Sequence, residues 1–382
     1  MIFVDAVRIY FTAWLNAFSP AGRRYAPLGL RRLLFLALAP AGLLLFAVHG
    51  ACLALDEWLY PAFRRTAVRR PVFILGVPRS GTTYLHRELA RDHRFATTAT
   101  WELLLAPAIC QRRLLTLLAA IDRALGAPLC RVLRFVEHRL AAPMDSVHPV
   151  GLDAAEEDYL ALLPAAGCFF ASLAFPGSTA LRALAHPGDL KAPQRRRLLA
   201  HYHALLQRHL FFHGKSALLS KNAAFASWLP YLARHYPDAL FVLCIRQPGG
   251  ALSSQLSSLG GARSLFGTYP DNAAIAERFA AHYERWFDDL VDYAQAGEGD
   301  TLVVDQTWMR NHGEVVLHTI YQRLDLATAA LPAERTAVAE KKRPPGHRHN
   351  AKDWPIPEAR LQRMAGSYDV LNARALHEVA VP

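Results

Sequence analysis

The sequence predicts an α/β fold of three layers, in which a central parallel sheet lies between layers of helices. Three short apolar runs carry this prediction, at residues 72–75, 240–245 and 302–304. An unbroken apolar run of this length is typical of a strand buried on both faces, and helical patterns occupy the segments between the runs. Strands that alternate with helices pair in parallel, and ligands bind at the carboxyl ends of such strands.

A glycine-containing turn at residues 76–81 joins the first run to a predicted helix. Its end glycines have the spacing of a P-loop, in which backbone N–H groups and a helix N-terminus bind phosphate. The nucleotide-hydrolysing motif continues with Lys and then Ser or Thr, whereas this chain continues with Thr82 and Thr83. The cation lies inside the turn instead, as Arg79. The turn therefore predicts a P-loop-like anion site, and a strand-to-helix turn without a ligand is the alternative.

Length and charge limit the classes of function that the chain can have. Its 382 residues are enough for one large domain with insertions or for two domains. A net charge of +11 favours an anionic partner, but basic residues are not interleaved with aromatic ones, so nucleic acid is not expected. The five cysteines are scattered and show no zinc-site spacing, which indicates a reducing compartment, the cytoplasm or the cytoplasmic face of a membrane.

The N-terminal residues 1–65 form a predicted helical segment, and residues 66–382 form the main domain. Residues 33–55 carry no formal charge and are long enough to cross a bilayer, although Pro40 and His49 disfavour insertion. Three arrangements stay open: a spanning helix, a helix lying in the membrane interface, and helices packed on the domain core. We expect this apolar segment to hold the protein at a membrane.

A second anion-binding pattern follows the run at residues 240–245. Arg246 comes directly after this run, and Ser254 lies on the next predicted helix. Arginine offers a fork of donors to phosphate oxygens, and serine adds a hydroxyl donor. Together with Pro-Arg-Ser-Gly-Thr-Thr at residues 78–83, this order resembles the sulfotransferase superfamily, most closely its bacterial-type members. The resemblance is strong at the two motifs and loose between them.

The resemblance implies transfer of the sulfuryl group of PAPS (3′-phosphoadenosine 5′-phosphosulfate) to a hydroxyl, with an amine as the less favoured acceptor. This chemistry requires no metal. Arg246 and Ser254 would bind the 3′-phosphate of PAPS. The turn and the start of its helix would bind the 5′-phosphosulfate through Arg79, Ser80, Gly81, Thr82 and Thr83. Arg79 would also act in catalysis, by offsetting charge on the leaving oxygen.

Two further residues are catalytic candidates through the same resemblance. Lys221 ends the apolar run at 217–220, where the family has a lysine that stabilises the leaving phosphate; a surface lysine is the alternative. Glu102 resembles the base of the tyrosylprotein sulfotransferases, at a slightly different spacing from the loop. Its alternative is a helix cap, in which Thr100 caps the helix and Glu102 satisfies the first turn.

Two charged segments also resemble parts of the family. The acidic residues 156–158 are interpreted first as a solvated, capping helix start, and a second base, His148 or Glu157, is the alternative. The basic segment 341–350 predicts a mobile lid over the 3′-phosphate, with a solvated basic loop as the alternative. The lid residues are Lys342, Arg343 and Arg348.

Two other classes of function stay open at this stage. A P-loop kinase or NTPase needs a lysine at position 82 and an Asp that holds Mg²⁺, and only the second is available, as Asp305. A catalytically dead, membrane-attached scaffold is the other class. The acceptor is a small molecule, a lipid or a glycan, and the leucine-rich helical insertion at 103–140 favours an apolar alcohol.

Overall fold

Five strands form a parallel sheet at the centre of the fold. The computed structural model describes residues 2–132, 152–327 and 354–377. In chain order the strands are β1 (Val72–Gly76), β2 (Phe95–Ala96), β3 (Ala217–Lys221), β4 (Leu240–Ile245) and β5 (Asp300–Asp305). Their order across the sheet is β2-β3-β1-β4-β5, and every pair of neighbours is parallel. The α/β prediction is confirmed.

Helices cover both faces of this sheet. They are α1 (Ile2–Asn16), α2 (Pro20–Arg23), α3 (Leu30–Leu59), α4 (Thr82–Ala90), α5 (Thr100–Leu104), α6 (Ile109–Ala124), α7 (Ala171–Ala174), α8 (Thr179–Arg182), α9 (Ala192–His213), α10 (Leu229–His235), α11 (Pro248–Ser258), α12 (Gly260–Phe266), α13 (Asn272–Ala296), α14 (Gln306–Asn311), α15 (Gly313–Arg323) and α16 (Glu358–Asn372). Short 3₁₀ turns lie at Pro61–Arg65, Asp158–Ala165, Ala183–Ala185, Pro187–Asp189 and Ala223–Trp228.

The unbroken apolar run of β1 is explained by its two buried faces. Phe73 and Leu75 point into one hydrophobic cluster, and Val72 and Ile74 point into a second cluster on the other face. Side chains alternate along a strand, so a central strand covered on both sides has no position for a polar residue. Because β3 and β4 lie on opposite sides of β1, the loop after β1 opens at the point where the strand order reverses, which is where α/β proteins bind ligands.

The apolar helix α3 packs against the domain along one face and is fixed near both ends. Near its start the buried Arg32 donates from Nη1 to the carbonyl oxygen of Ala174 at 2.7 Å. Near its end the buried Asp56 accepts the N–H of Ile109 at 2.7 Å and lies 3.1 Å from Nε of Arg208. Charged side chains bound to the domain oppose insertion of α3 across a bilayer as a separate helix.

The opposite face of α3 is exposed, although its composition is apolar. By length and composition α3 could cross a membrane, and in an apolar stretch of 18 residues within it only 11% are buried. Residues of α1 and α3 nevertheless belong to the same hydrophobic cluster as the sheet, among them Tyr10, Leu36 and Leu53. The first 65 residues therefore share a core with the rest, and their division from the main domain stays a prediction.

Candidate functional site

Two glycines allow the loop after β1 to lie close to its neighbours. Gly76 has a φ of +140°, and a Cβ there would lie 2.0 Å from the carbonyl oxygen of Cys244 in β4. Gly81 has a φ of +91°, and a Cβ there would lie 2.5 Å from the Cε methyl of Met309. A side chain would clash at either position, so the spacing of the motif is a requirement of packing as well as of ligand approach.

The loop is held in shape by two hydroxyl groups. The buried Ser80 donates from Oγ to the carbonyl oxygen of Val77 at 2.7 Å, which closes the turn on itself. Tyr283 of α13 donates its hydroxyl to the carbonyl oxygen of Pro78 at 2.8 Å. Tyr283 was not found from the sequence, because a tyrosine within an amphipathic helix gives no local sign of a distant hydrogen bond. Both contacts are made to carbonyl oxygens of the loop, so neither of them uses a backbone N–H group of the loop.

The structure brings the two predicted anion sites into direct contact. Arg79 donates from Nε to Oγ of Ser254 at 3.1 Å, and Arg246 donates from Nη1 to the carbonyl oxygen of Arg79 at 3.1 Å. Arg246 follows β4, and Ser254 lies on α11, so the carboxyl ends of β1 and β4 jointly position all three side chains. One ligand with two anionic groups could therefore contact both sites.

A third arginine strengthens the positive charge at this edge of the sheet. The pKa of Arg246 is lowered by burial first, and then by the positive charges of Arg310 on α14 and of Arg79. Like charges raise the energy of the free protein, and a bound anion offsets that cost. Arg310 was not found from the sequence, because it lies on a helix that carries no phosphate-binding motif. The edge beside β4 thus carries three positive charges close to one another.

Lys221 lies on the other side of β1, at the end of β3. Its Nζ is 3.0 Å from Oε1 of Glu157, 3.4 Å from Oε1 of Glu156 and 3.3 Å from Oγ1 of Thr83. Burial acts to lower the pKa of Lys221, but the charges of the two glutamates outweigh it and raise this pKa. The lysine is 2% exposed, so the alternative of a surface lysine is wrong. It connects the first turn of α4 to an acidic pair.

Asp158 is buried, so its interpretation as part of a solvated helix start was wrong, whereas Glu156 and Glu157 are half-buried. Glu156 N–H donates to the carbonyl oxygen of Thr98 at 3.0 Å, and this backbone pairing draws the segment over the strand ends. Burial raises the pKa of Glu157 and that of Asp158, the latter to about 6, although Tyr202 donates to Asp158 at 2.7 Å. Within the described parts of the chain, Oε2 of Glu157 has no hydrogen-bond partner.

Glu102 lies in a separate buried cluster. Its Oε2 accepts the N–H of Ala99 at 2.8 Å, and its Oε1 is 2.8 Å from His213 Nε2 and 3.3 Å from Arg112 Nη1. Glu102 thus satisfies the first turn of α5, as the capping alternative predicted, but Ala99 rather than Thr100 is the capping residue. Burial alone would raise the pKa of Glu102, but His213, Arg112 and His209 lower it to about 2. Its predicted role as a base stays a prediction.

The ligand atoms of Glu102, His209 and His213 lie within 4.8 Å of one another, as in a metal site. However, Arg112 Nη1 is 3.3 Å from Glu102 Oε1 and 3.0 Å from His209 Nδ1, so a guanidinium already compensates the carboxylate and donates a hydrogen bond to the imidazole. A second cation there would be repelled, and we derive no metal site from this cluster.

Several predicted residues lie outside the described residues. They are His148 and the lid residues Lys342, Arg343 and Arg348.

Asp305, which would hold Mg²⁺ in the kinase alternative, lies within the described residues. Its Oδ1 accepts hydrogen bonds from the N–H groups of Thr307 and Trp308, and its Oδ2 accepts one from the hydroxyl of Tyr368. Asp305 therefore caps α14.

A parallel sheet with a phosphate-type loop after its central strand defines the P-loop-like class of α/β proteins. Within this class the chain belongs to the Sulfotransferase family, whose family model matches residues 71–330. Among solved structures it is similar to sulfotransferase STF1 from Mycobacterium tuberculosis H37Rv, with a TM-score of 0.68 and 18% identity over 95% of this chain and 92% of that one. It is also similar to sulfotransferase STF9 from Mycobacterium avium, with a TM-score of 0.69 and 16% identity over 100% and 97%. At sequence identities this low, the similarity to these two structures shows a shared fold alone. No curated protein matches the sequence.

The Glu102 cluster predicts a loss of stability in acid. The pKa of Glu102 is about 2 in the folded protein against an ordinary value of 4.5, so its contribution is complete above pH 4.5 and is lost as the pH falls towards 2. The free energy of unfolding of the wild type should exceed that of Glu102→Gln, and this difference should shrink by about 2 kcal/mol between pH 6 and pH 3. Urea unfolding at each pH measures it.

The matched control for this experiment is Glu358→Gln, at an exposed glutamate of α16. This substitution should change the free energy of unfolding by less than about 0.5 kcal/mol at pH 6. A difference between wild type and Glu102→Gln that stays constant down to pH 3 would contradict the assigned ionic network.

Proposed function

We propose that the protein transfers the sulfuryl group of PAPS to a hydroxyl of a small-molecule, lipid or glycan acceptor, with an amine as the less favoured acceptor. The observation that carries this proposal is the contact chain from Ser254 to Arg79 to Arg246, which makes one continuous surface of two anion sites. PAPS has two separate phosphate-bearing ends and matches such a surface. Membership of the Sulfotransferase family supports the same reaction.

The residues divide between the two ends of PAPS in this proposal. Arg246 and Ser254 hold the 3′-phosphate, with Arg343 and Arg348 as further ligands from the predicted lid. The loop holds the 5′-phosphosulfate through Arg79, Ser80, Gly81, Thr82 and Thr83. The acceptor oxygen forms a bond to sulfur as the bond from sulfur to the bridging oxygen breaks, and PAP leaves. Arg79 and Lys221 offset the charge that develops on the bridging oxygen.

A carboxylate takes the proton of the acceptor hydroxyl, and two candidates differ in their surroundings. Glu102 is the candidate from family resemblance, but its low pKa makes it a weak base and both its oxygens are engaged. Glu157 contacts Lys221, which contacts Thr83 at the start of α4, and burial raises its pKa. The unpartnered oxygen of Glu157 also gives it a free acceptor, so the geometry favours Glu157.

The kinase alternative is weakened by two observations. Thr82 stands where the lysine of a nucleotide-hydrolysing loop would be. Asp305 uses its oxygens to cap α14 and to accept from Tyr368, which leaves it poorly placed to hold Mg²⁺.

We further propose that the protein lies on a membrane surface instead of crossing it, on the cytoplasmic side, which fits the scattered cysteines. Large apolar side chains are exposed along α1, α3 and α6, among them Phe11, Leu38, Leu44, Trp58 and Leu117. So many exposed apolar groups on neighbouring helices are typical of a membrane-contacting surface. α3 packs against both α1 and α6, so the three faces can form one surface. A membrane-bound enzyme of this kind suits an apolar alcohol as the acceptor.

The nucleotide assignment is tested by calorimetric titration with PAP and with ATP. PAP should bind with clearly higher affinity, and Arg246→Ala should weaken it about 10- to 100-fold because a charge-assisted contact is lost. Arg234→Ala, at an exposed arginine of α10, is the matched control and should bind PAP normally. Tighter binding of ATP, or normal binding of PAP to Arg246→Ala, would refute the proposal.

The base is identified by comparing Glu157→Gln with Glu102→Gln in ³⁵S transfer from PAPS to the best acceptor of a lipid, glycan and phenol screen. Glu157→Gln should lower kcat about 10²- to 10³-fold while PAP affinity stays within a few-fold, because proton removal is lost and the nucleotide contacts remain. If Glu102→Gln is folded and loses transfer while Glu157→Gln keeps it, Glu102 is the base.

Membrane attachment is tested by flotation of the full chain with vesicles that contain phosphatidylserine. The wild type should float with the vesicles, and Leu38→Glu with Leu44→Glu should reduce the bound fraction more than about tenfold, since two apolar side chains leave the interface. Val370→Glu changes an exposed apolar residue of α16 and is the control. Wild-type protein that stays in the soluble fraction, without detergent and with vesicles present, would exclude the attachment.

A further inference from the structure

A cleft of about 790 Å³ lies between the N-terminal half of α13, the end of α2 and the α8 region. Its volume is in the range of sites for small organic ligands. The residues that line it include none of the loop residues 79–83, and neither Lys221, Arg246 nor Ser254. It is therefore distinct from the proposed PAPS site, although α13 also carries Tyr283, which contacts the phosphate-type loop.

Three arginines line this cleft, and none of them forms an ion pair with a carboxylate of the described residues. Arg278 donates to the carbonyl oxygen of Pro176 at 2.9 Å and to the hydroxyl of Tyr269, and both acceptors are neutral. Nε of Arg182 is buried and has no hydrogen-bond partner within the described residues. Arg24 is exposed at the rim. These side chains supply positive charge and donors to whatever enters the cleft.

The carboxylates of the cleft are engaged elsewhere. Asp189 accepts from both terminal nitrogens of Arg285, at 2.7 and 2.8 Å. Glu277 is paired with Arg360 at 2.7 Å, and Asp271 accepts the N–H of Ala273 at the start of α13. Neither Arg285 nor Arg360 lines the cleft, so two of its three acidic groups are neutralised from outside and its interior stays positive.

Two histidines extend the site through a chain of hydrogen bonds. Ser227 donates its hydroxyl to Asp289, so its oxygen accepts from Nδ1–H of His186 at 3.0 Å. Nε2 of a neutral His186 then accepts from Nδ1–H of His282 at 2.8 Å, which leaves Nε2 of His282 as an acceptor. Burial first, and then the charges of Arg278 and Arg182, lower the pKa of His282 to about 4, so the ring is neutral near pH 7.

We propose that this cleft binds a small organic molecule through an oxyanion group, a phosphate, sulfate or carboxylate, held by Arg24, Arg182 and Arg278. Nε2 of His282 is placed to accept a hydrogen bond from a hydroxyl of the same molecule. The site acts independently of the nucleotide site, and its ligand is a second molecule and not PAPS.

Inorganic pyrophosphate, as a compact oxyanion probe, is titrated into the full-length protein with and without saturating PAP. Saturable binding that persists in the presence of PAP is the expected result. Arg24→Gln and Arg182→Gln should each weaken this binding about tenfold, as expected for the loss of a charge-assisted contact. Arg23→Gln and Arg196→Gln are matched controls, because both arginines are exposed and neither lines the cleft.

Pyrophosphate binding that PAP abolishes would assign the anion to the nucleotide site and overturn the proposal. Equal affinities of the Arg24→Gln and Arg23→Gln proteins, together with equal affinities of Arg182→Gln and Arg196→Gln, would overturn it as well. Arg24 is exposed, so its variant tests the site even if Arg182→Gln fails to fold. Failure of the protein to bind PAP would refute the proposed function but not the proposed cleft site. The pyrophosphate affinities of the arginine variants and their controls can still be compared without nucleotide.

Discussion

The hydrogen bonds that join Arg79 to Ser254 and Arg246 to the carbonyl oxygen of Arg79 set the geometry of the whole site. They tie the loop after β1 to the end of β4 and to the middle of α11. Such contacts require the loop to lie directly against β4, which Gly76 permits because a Cβ there would collide with Cys244. The sheet order, the glycine at position 76 and the contact between Arg79 and Arg246 thus all depend on the close packing of the loop against β4.

The burial of charge distinguishes the two sides of β1. Beside β4, the pKa of Arg246 is lowered first by burial and then by the positive charges of Arg310 and Arg79. Because these arginines repel one another, this edge of the sheet favours an anion. Beside β3, Lys221 is compensated by Glu156 and Glu157. A buried charge without a partner is costly. In the proposed function, a bound anion adds to the effect of Tyr283 and Asp305 on Arg246, whereas carboxylates of the protein alone compensate Lys221.

Local patterns were enough to predict β1, β3, β4 and β5, but not the two-residue β2, and to place Arg79 and Arg246 directly after strands. The runs at 72–75 and 240–245 became β1 and β4 because two covered faces leave a simple signature, and Arg246 follows its strand directly. The contact of Glu157 with Lys221 could not be predicted, because the segment is placed by a backbone bond from Glu156 to Thr98, far away in the chain. Tyr283 and Arg310 reach the site from later helices, and the cleft arginines come from three separate segments, so no local pattern reports them.

The topology has a consequence for how such an enzyme can diversify. Arg79, Arg246 and Ser254 lie at β1, β4 and α11, whereas Glu156 and Glu157 come from the segment that precedes Asp158–Ala165, beside β3. In the proposed function, the 3′-phosphate site and the candidate base therefore lie on opposite sides of β1. Sequence change between β2 and β3 that spares Lys221 would then alter the surroundings of the acceptor and leave those three anion-binding side chains in place.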